Sequence, residues 1–247
     1  LKIRKLVQKK RTKEEEMKRW AWVLSLLMVV AFSGCIKMEQ DITLNKDGSG
    51  SVEFMYAMSE QTINQMKAMA QMGKQEGEEA ELDDNQFEFD EAKVKSKFEA
   101  MKEQGIVLKN VETTTKGGWK YMNIAFDFKD ISKLNDAEAM GDSPITITKN
   151  ADGNYVITSK MSGDEMGGGE ADTEQMKAML PMLAGMRVAM KIHTPGAIIS
   201  TTAPIKGKDT AEWIFDVDKD PDSVLNMSKS KMEIVFDGKG CTIPEVK

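Results

Sequence analysis

Histidine is almost missing from this sequence: His193 is the only one in 247 residues. General acid–base chemistry most often recruits histidine, and a nucleophilic triad needs one as its base. A lone histidine followed by Thr194 and Pro195 therefore argues against a hydrolase. Cysteine is scarce too, with Cys35 and Cys241 alone. No paired-cysteine motif, H-E-x-x-H or G-x-x-x-x-G-K-[ST] loop occurs, which removes common zinc and nucleotide signatures. The glycine triplet 167–169 sits in an acidic stretch without a preceding strand pattern and reads as a linker. NKDGSG at 45–50 superficially suggests a calcium loop, but a full loop needs Glu at its twelfth position. That position is Tyr56. The apolar segment Trp20–Phe32 has 13 residues, short of the ~20 that cross a bilayer as a helix.

That short segment belongs to a recognisable order of parts. Residues 1–16 are charged and show no apolar face; Met17 is the expected start. Lys18 and Arg19 form a positive region, Trp20–Phe32 an apolar one, and Ser33-Gly34 precede Cys35. An ordinary signal peptide ends at a small-x-small site and needs no cysteine. FSGC at 32–35 resembles a lipobox, with Phe32 where leucine is usual. In lipobox proteins the cysteine sulfur is the nucleophile that takes a diacylglyceryl group, and small residues before it admit the peptidase. The resemblance makes residues 1–34 a signal peptide and Cys35 a lipid-bearing N-terminus. One acyl chain binds a membrane only marginally, at ~0.8 kcal/mol per buried methylene, whereas two or three hold it stably. The expected location is therefore a cell membrane or outer membrane, outside the cytoplasm.

Residues 1–34 carry nine of the 34 Lys/Arg and three of the 40 Asp/Glu. Residues 35–247 thus keep 25 basic and 37 acidic residues, a formal charge near −12. Such a domain is repelled by nucleic acid and by anionic headgroups. No nucleic-acid partner is expected, and the lipid is expected to act as a tether. With Cys35 lipidated, Cys241 has no disulfide partner. Its flanks, GKGCTIP, read as a terminal turn holding a half-buried small hydrophobe.

Alternation organises the rest. Ile42 and Leu44, then Val52, Phe54, Tyr56 and Met58, flank the Asp-Gly turn of NKDGSG and predict a hairpin. Residues 59–72 read as a helix capped by Ser59, and 73–86 as an acidic, flexible loop. FDEAKVKSKFEAMKEQG predicts a helix with Asp90 as cap, Val94, Phe98 and Met101 on one face and Gly105 as stop. IVLKNVETTT and WKYMNIAFDF, joined by KGG, predict a hairpin with Met122, Ile124, Phe126 and Phe128 on its apolar side. A short helix within 130–140, a hairpin turning at or before Asn154 and a flexible stretch at 163–172 come next. A second methionine helix is expected from about Thr173, with Pro181 kinking or shortening it. Strands come after it with Val188, Met190 and Ile192 inward, then Ala211, Trp213, Phe215 and Val217, then KMEIVF. His193 falls on a polar strand face. One-faced strands favour an α+β fold, a mostly antiparallel sheet with helices packed on one face, in one domain over 35–247.

Two helices share a motif, QMKAMAQM at 65–72 and QMKAMLPM at 175–182. Each follows an Asp-Gly hairpin and a Met-Ser pair, so duplication of a hairpin-plus-helix unit is one reading. Met66, Met69 and Met72 recur at i, i+3 and i+6; Met176 and Met179 begin a broader face. Methionine fills irregular gaps, and helix packing accounts for the pattern. Thioethers also suit copper(I), and a pliable methionine surface also accepts a lipid tail or partner helix. These five methionines are the candidate binding surface.

Three segments carry a family resemblance. They are the lipobox followed at once by a D-G-S-G hairpin, the unit ending FDFKDISKLN, and MRVAMKIHTPGAIISTTAPIKGKDTAEWIFDV. In the last, a strand runs into Pro195-Gly196 and Trp213 lies in the next strand. Together they resemble LppM-like bacterial lipoproteins over most of 35–240, with methionine-rich helices and acidic inserts as departures. The resemblance implies a surface α+β domain on a lipid anchor with no established enzymatic role, and recognition of membrane lipid or envelope components; no enzyme activity and no cofactor are expected. Methionine-based copper binding and a structural tether in envelope assembly are the competing functions.

Overall fold

The computed structural model describes residues 36–65, 67, 89–136, 145–160, 183–223, 227 and 230–246. They form two sheets around one main core, with a smaller buried cluster of Tyr56, Val111 and Met122. The first hairpin is β1 (Ile36–Leu44) and β2 (Gly50–Ser59), paired from Ile36↔Met58 to Leu44↔Gly50. Its turn is NKDGSG. Asn45 N–H donates to the Ser49 carbonyl at 2.8 Å, and Asp47 accepts from the Ser49 hydroxyl at 2.6 Å and from its N–H at 3.0 Å. The Ser49 hydroxyl first, then its N–H, hold the Asp47 carboxyl below its usual range. The strands are longer than alternation suggested, and β1 starts one residue after Cys35.

The helix expected from Ser59 is present over 60–65, with Ser59 Oγ accepting the Thr62 N–H at 3.1 Å. The next helix, α1 (Glu91–Met101), is capped by Asp90, which accepts from the Ala92 and Lys93 N–H groups. A 3₁₀ turn and Gly105 end it. Phe98 meets the Phe126 ring at 5.0 Å, and Val94 packs on the Tyr56, Val111 and Met122 cluster. Then come β3 (Ile106–Lys116) and β4 (Trp119–Phe128). Their KGG turn needs left-handed backbone at two successive residues, and Gly117 (φ +61°) and Gly118 (φ +75°) supply it without steric cost. Because β3 is an edge strand, its Thr113 N–H is open to a side chain, and Glu91 accepts it at 2.9 Å. That bond holds the Glu91 carboxyl below its usual range and ties α1 to the edge.

After α2 (Ser132–Asp136), β5 (Ile145–Lys149) and β6 (Tyr155–Lys160) form the hairpin expected around 150–154. The chain continues through β7 (Arg187–His193), β8 (Ile198–Thr201), β9 (Ile205–Lys206), β10 (Thr210–Asp216) and β11 (Lys231–Phe236). The larger sheet runs β3-β4-β2-β1-β7-β10-β9, and the smaller runs β5-β6-β11-β8. All pairs are antiparallel except β1 with β7, which are parallel over Lys37↔Arg187 to Thr43↔His193.

Ile42, Val52, Phe126, Val188, Met190, Trp213 and Phe215 of the larger sheet share the core with Ile147, Ile157, Ile234 and Phe236 of the smaller. This alters one expectation. The layer over the β1–β7–β10 half is a second sheet rather than helices; α1 lies over the β3–β4–β2 part. A one-faced strand buries its apolar side against either partner, so alternation alone does not choose between them. Cys241 is buried rather than half-buried, and burial pushes its thiol pKa up. The stretches 73–86 and 163–172 lie outside the described residues.

Close approach fixes some positions more tightly than chain freedom does. A Cβ on Gly50 would overlap the Thr43 carbonyl oxygen and the Phe128 ring, both inside the β1–β2–β4 core. Gly50→Ala is expected to lower stability by about 2–3 kcal/mol, the scale of overpacking a closed core. Urea unfolding would read this as a lower midpoint at unchanged slope.

Candidate functional site

A strand that buries every second side chain shows the others to water. On the larger sheet the residues of this second face align in cross-strand rungs, most of them partly exposed and Ala57 and Ala189 buried. One rung runs Tyr121, Ala57, Lys37, Arg187, Asp216. The next runs Asn123, Met55, Glu39, Ala189, Ile214, and the third Ala125, Glu53, Asp41, Lys191, Glu212. Ala125 and Ala189 leave the floor low between taller neighbours. The result is an open groove of about 560 Å³, walled by Glu39, Asp41, Glu53, Arg187, Lys191 and Glu212.

Ion pairs order this face. Arg187 Nε lies 2.8 Å from Glu39, and its Nη1 lies 3.1 Å from Asp216. The hydrogen bond to Glu39 is the main cause raising the Arg187 pKa above its usual value. Burial pushes the Asp216 carboxyl up, but bonds from Arg187 and Lys219 outweigh it and hold the carboxyl below its usual range. Asp41 and Glu53 face each other as like charges, which is unfavourable. Lys191, 3.1 Å from Asp41, offsets part of that. Exposed pairs such as Glu91–Lys95 contribute little, because water and salt screen them. The half-buried Arg187 bridge is the one that fixes strand positions.

His193 sits at the end of this array. Its Nε2 is 3.0 Å from Asp41, and its Nδ1 is 3.2 Å from the Thr210 hydroxyl. Hydroxyl, imidazole and carboxylate are thus in contact, an arrangement that residue spacing did not foretell. Thr210 and His193 are paired partners within the β10–β7 ladder. Asp41 is shared with Lys191. The row Lys191, Asp41, His193, Thr210 is a polar ladder across three strands. Among the described residues, no group of three or more His, Cys, Asp or Glu is arranged to hold a metal ion.

The residues singled out from sequence, Cys35, Met66, Met69, Met72, Met176 and Met179, all lie outside the described residues. The groove residues were missed for a different reason. Glu39, Asp41 and Arg187 carry the outward period of their strands, but which of them meet depends on the β1–β7 register. That pairing joins segments about 150 residues apart.

No protein-family profile and no curated protein matches the chain. Among solved structures, the NMR structure of the Mycobacterium tuberculosis LppM folded domain is similar, with a TM-score of 0.43 and 12% identity. The match covers 85% of this chain and 95% of that chain. It is a distant likeness of fold, not membership of a family. Among the described residues, no helix is long and apolar enough to cross a membrane.

Three substitutions probe the Arg187 bridge, each followed by chemical unfolding. Arg187→Ala is expected to cost about 1–2 kcal/mol, the scale of partly exposed hydrogen bonds between charged groups. Arg187→Lys is expected to cost less than Ala but not nothing, because one ammonium does not span both carboxylates. The Asp216 pKa is lower in the folded state. Its contribution is therefore present above the ordinary carboxylate pKa of ~3.9 and is lost as pH falls through the folded value. Asp216→Asn should be less stable than the parent at pH 7, with the gap closing in acid, as followed by chemical unfolding across pH.

Proposed function

We propose that this chain is a lipid-anchored cell-envelope lipoprotein of LppM-like type. In this reading it is non-enzymatic and binds a membrane lipid or an envelope partner. The observation that carries the reading is the junction of signal and fold. The order of positive region, short apolar segment, small residues and cysteine ends at Cys35, and strand β1 begins at Ile36. Removing residues 1–34 would leave the strand intact and its first residue next to the lipid. A non-enzymatic role is supported by the engaged state of the outward groups. Arg187, Lys191 and His193 are each held by carboxylates of the same face.

The anchor is tested by intact-mass measurement on protein extracted from native membranes. A chain starting at Cys35 and carrying diacylglyceryl mass is expected. An unmodified thiol with upstream residues attached would remove the reading. Cys35→Ala should lose the lipid mass and keep its upstream residues. Partner binding by the methionine surface is tested separately. Changing Met66, Met69, Met176 and Met179 to Ser should leave the fold intact by circular dichroism while depleting co-purifying lipid or protein. An unchanged set of co-purifying molecules would remove that surface from the reading.

A further inference from the structure

We propose that the β3–β4 turn and Lys37 form a second membrane contact. This basic, aromatic corner rests on anionic phospholipid headgroups and sets how the anchored domain stands on the bilayer. The inference rests on the Cys35 anchor proposed above.

Covalent geometry puts Cys35 Cα within ~3.8 Å of Ile36 Cα, and Ile36 is the first residue of β1. No linker separates the anchor from the sheet. Ile36 pairs with Met58, and Met58 with Lys120. At ~4.8 Å per strand step, Lys120 stands about 10 Å to the side of the anchor point. Ser59 pairs with Trp119, and Trp119 with Lys116. The β3–β4 turn is therefore at the tethered end of the larger sheet.

The chemistry of that end is uneven. Lys37 Nζ lies 4.1 Å above the Trp119 ring, Lys116 is exposed, and Tyr121 is half-exposed beside them. Among the described residues, none of Lys37, Lys116 and Lys120 is paired with a carboxylate; Lys120, on the opposite face of β4 at the same end, lies 5.1 Å over the Phe89 ring. Glu60 adds one negative charge beside the turn, where its N–H donates to the Gly118 carbonyl at 2.9 Å. Across the same end, beyond β10, lie Asp216, Asp218, Asp220 and Asp222 with Lys219. The domain as a whole is acidic and is repelled by a flat approach. Tilting onto the β3–β4 corner brings lysines and an amphipathic indole to the headgroups and lifts the aspartates away. Lysine with tryptophan or tyrosine is the combination that interfaces favour.

Signal removal discards Trp20 and Trp22 and leaves Trp119 and the buried Trp213. Trp119 is then a local probe. The lipidated full protein would be reconstituted in vesicles of phosphatidylcholine alone or mixed with phosphatidylglycerol, with Trp119→Phe giving the Trp213 background. Trp119 should be shielded from a soluble quencher only with phosphatidylglycerol, at least threefold relative to phosphatidylcholine. About 1 M salt, which shortens screening to ~3 Å, should abolish this. A Lys37→Gln, Lys116→Gln, Lys120→Gln protein should stay in the vesicles and keep its thermal unfolding midpoint but lose the shielding. Equal quenching in both lipids, or shielding unchanged in the triple variant, would overturn the proposal. Failure of the wild type to float with vesicles would overturn the anchor itself, a result distinct from floating without shielding.

Discussion

Strand β1 is paired on both sides, with β2 through a five-residue turn and with β7 in parallel from about 150 residues away. It is the fourth of seven strands in the larger sheet. Without the β1–β7 pairing, β3-β4-β2-β1 and β7-β10-β9 would be separate pieces, each with an unpaired apolar edge. The pairing joins their apolar sides into one face broad enough to carry α1 and the smaller sheet. It is costly in loop closure, and the Arg187 bridge from Glu39 on β1 to Asp216 on β10 fastens it from outside.

The same strand decides the chemistry of the other face. Its outward residues Lys37, Glu39 and Asp41 meet Arg187, Ala189 and Lys191 of β7, and through them Asp216, Ile214 and Glu212 of β10. Shifting β1 by one residue would bury these charges and expose Ile42 and Leu44. The polar ladder and the core are thus two results of one register. The position of β1 in the chain adds a third result. The most central strand is also the one that begins directly after Cys35.

Local features were legible from residue types. The NKDGSG and KGG turns, the Asp90 and Ser59 caps, and the inward sets on β4, β7 and β10 all have causes within a few residues. Two things were not legible. The smaller sheet is not distinguishable from further strands of the larger one, because Ile145, Ile147 and Ile157 show the same alternation whichever sheet they join. The contact of His193 with Asp41 and Thr210 joins strands β1, β7 and β10, and no spacing within any one of them signals it.

Residue order alone carries a pattern that resembles an export signal, the cysteine that follows it, the acidic balance of residues 35–247 and the apolar side of nearly every strand. These depend on side-chain chemistry and on a period of two residues, both written along the chain. The assembled sheets alone reveal that β1 lies at the centre, that β7 runs parallel to it, and that a basic corner and an acidic corner share one end. Those facts arise from pairings across long stretches of chain, where the energy of a whole buried face selects the partner.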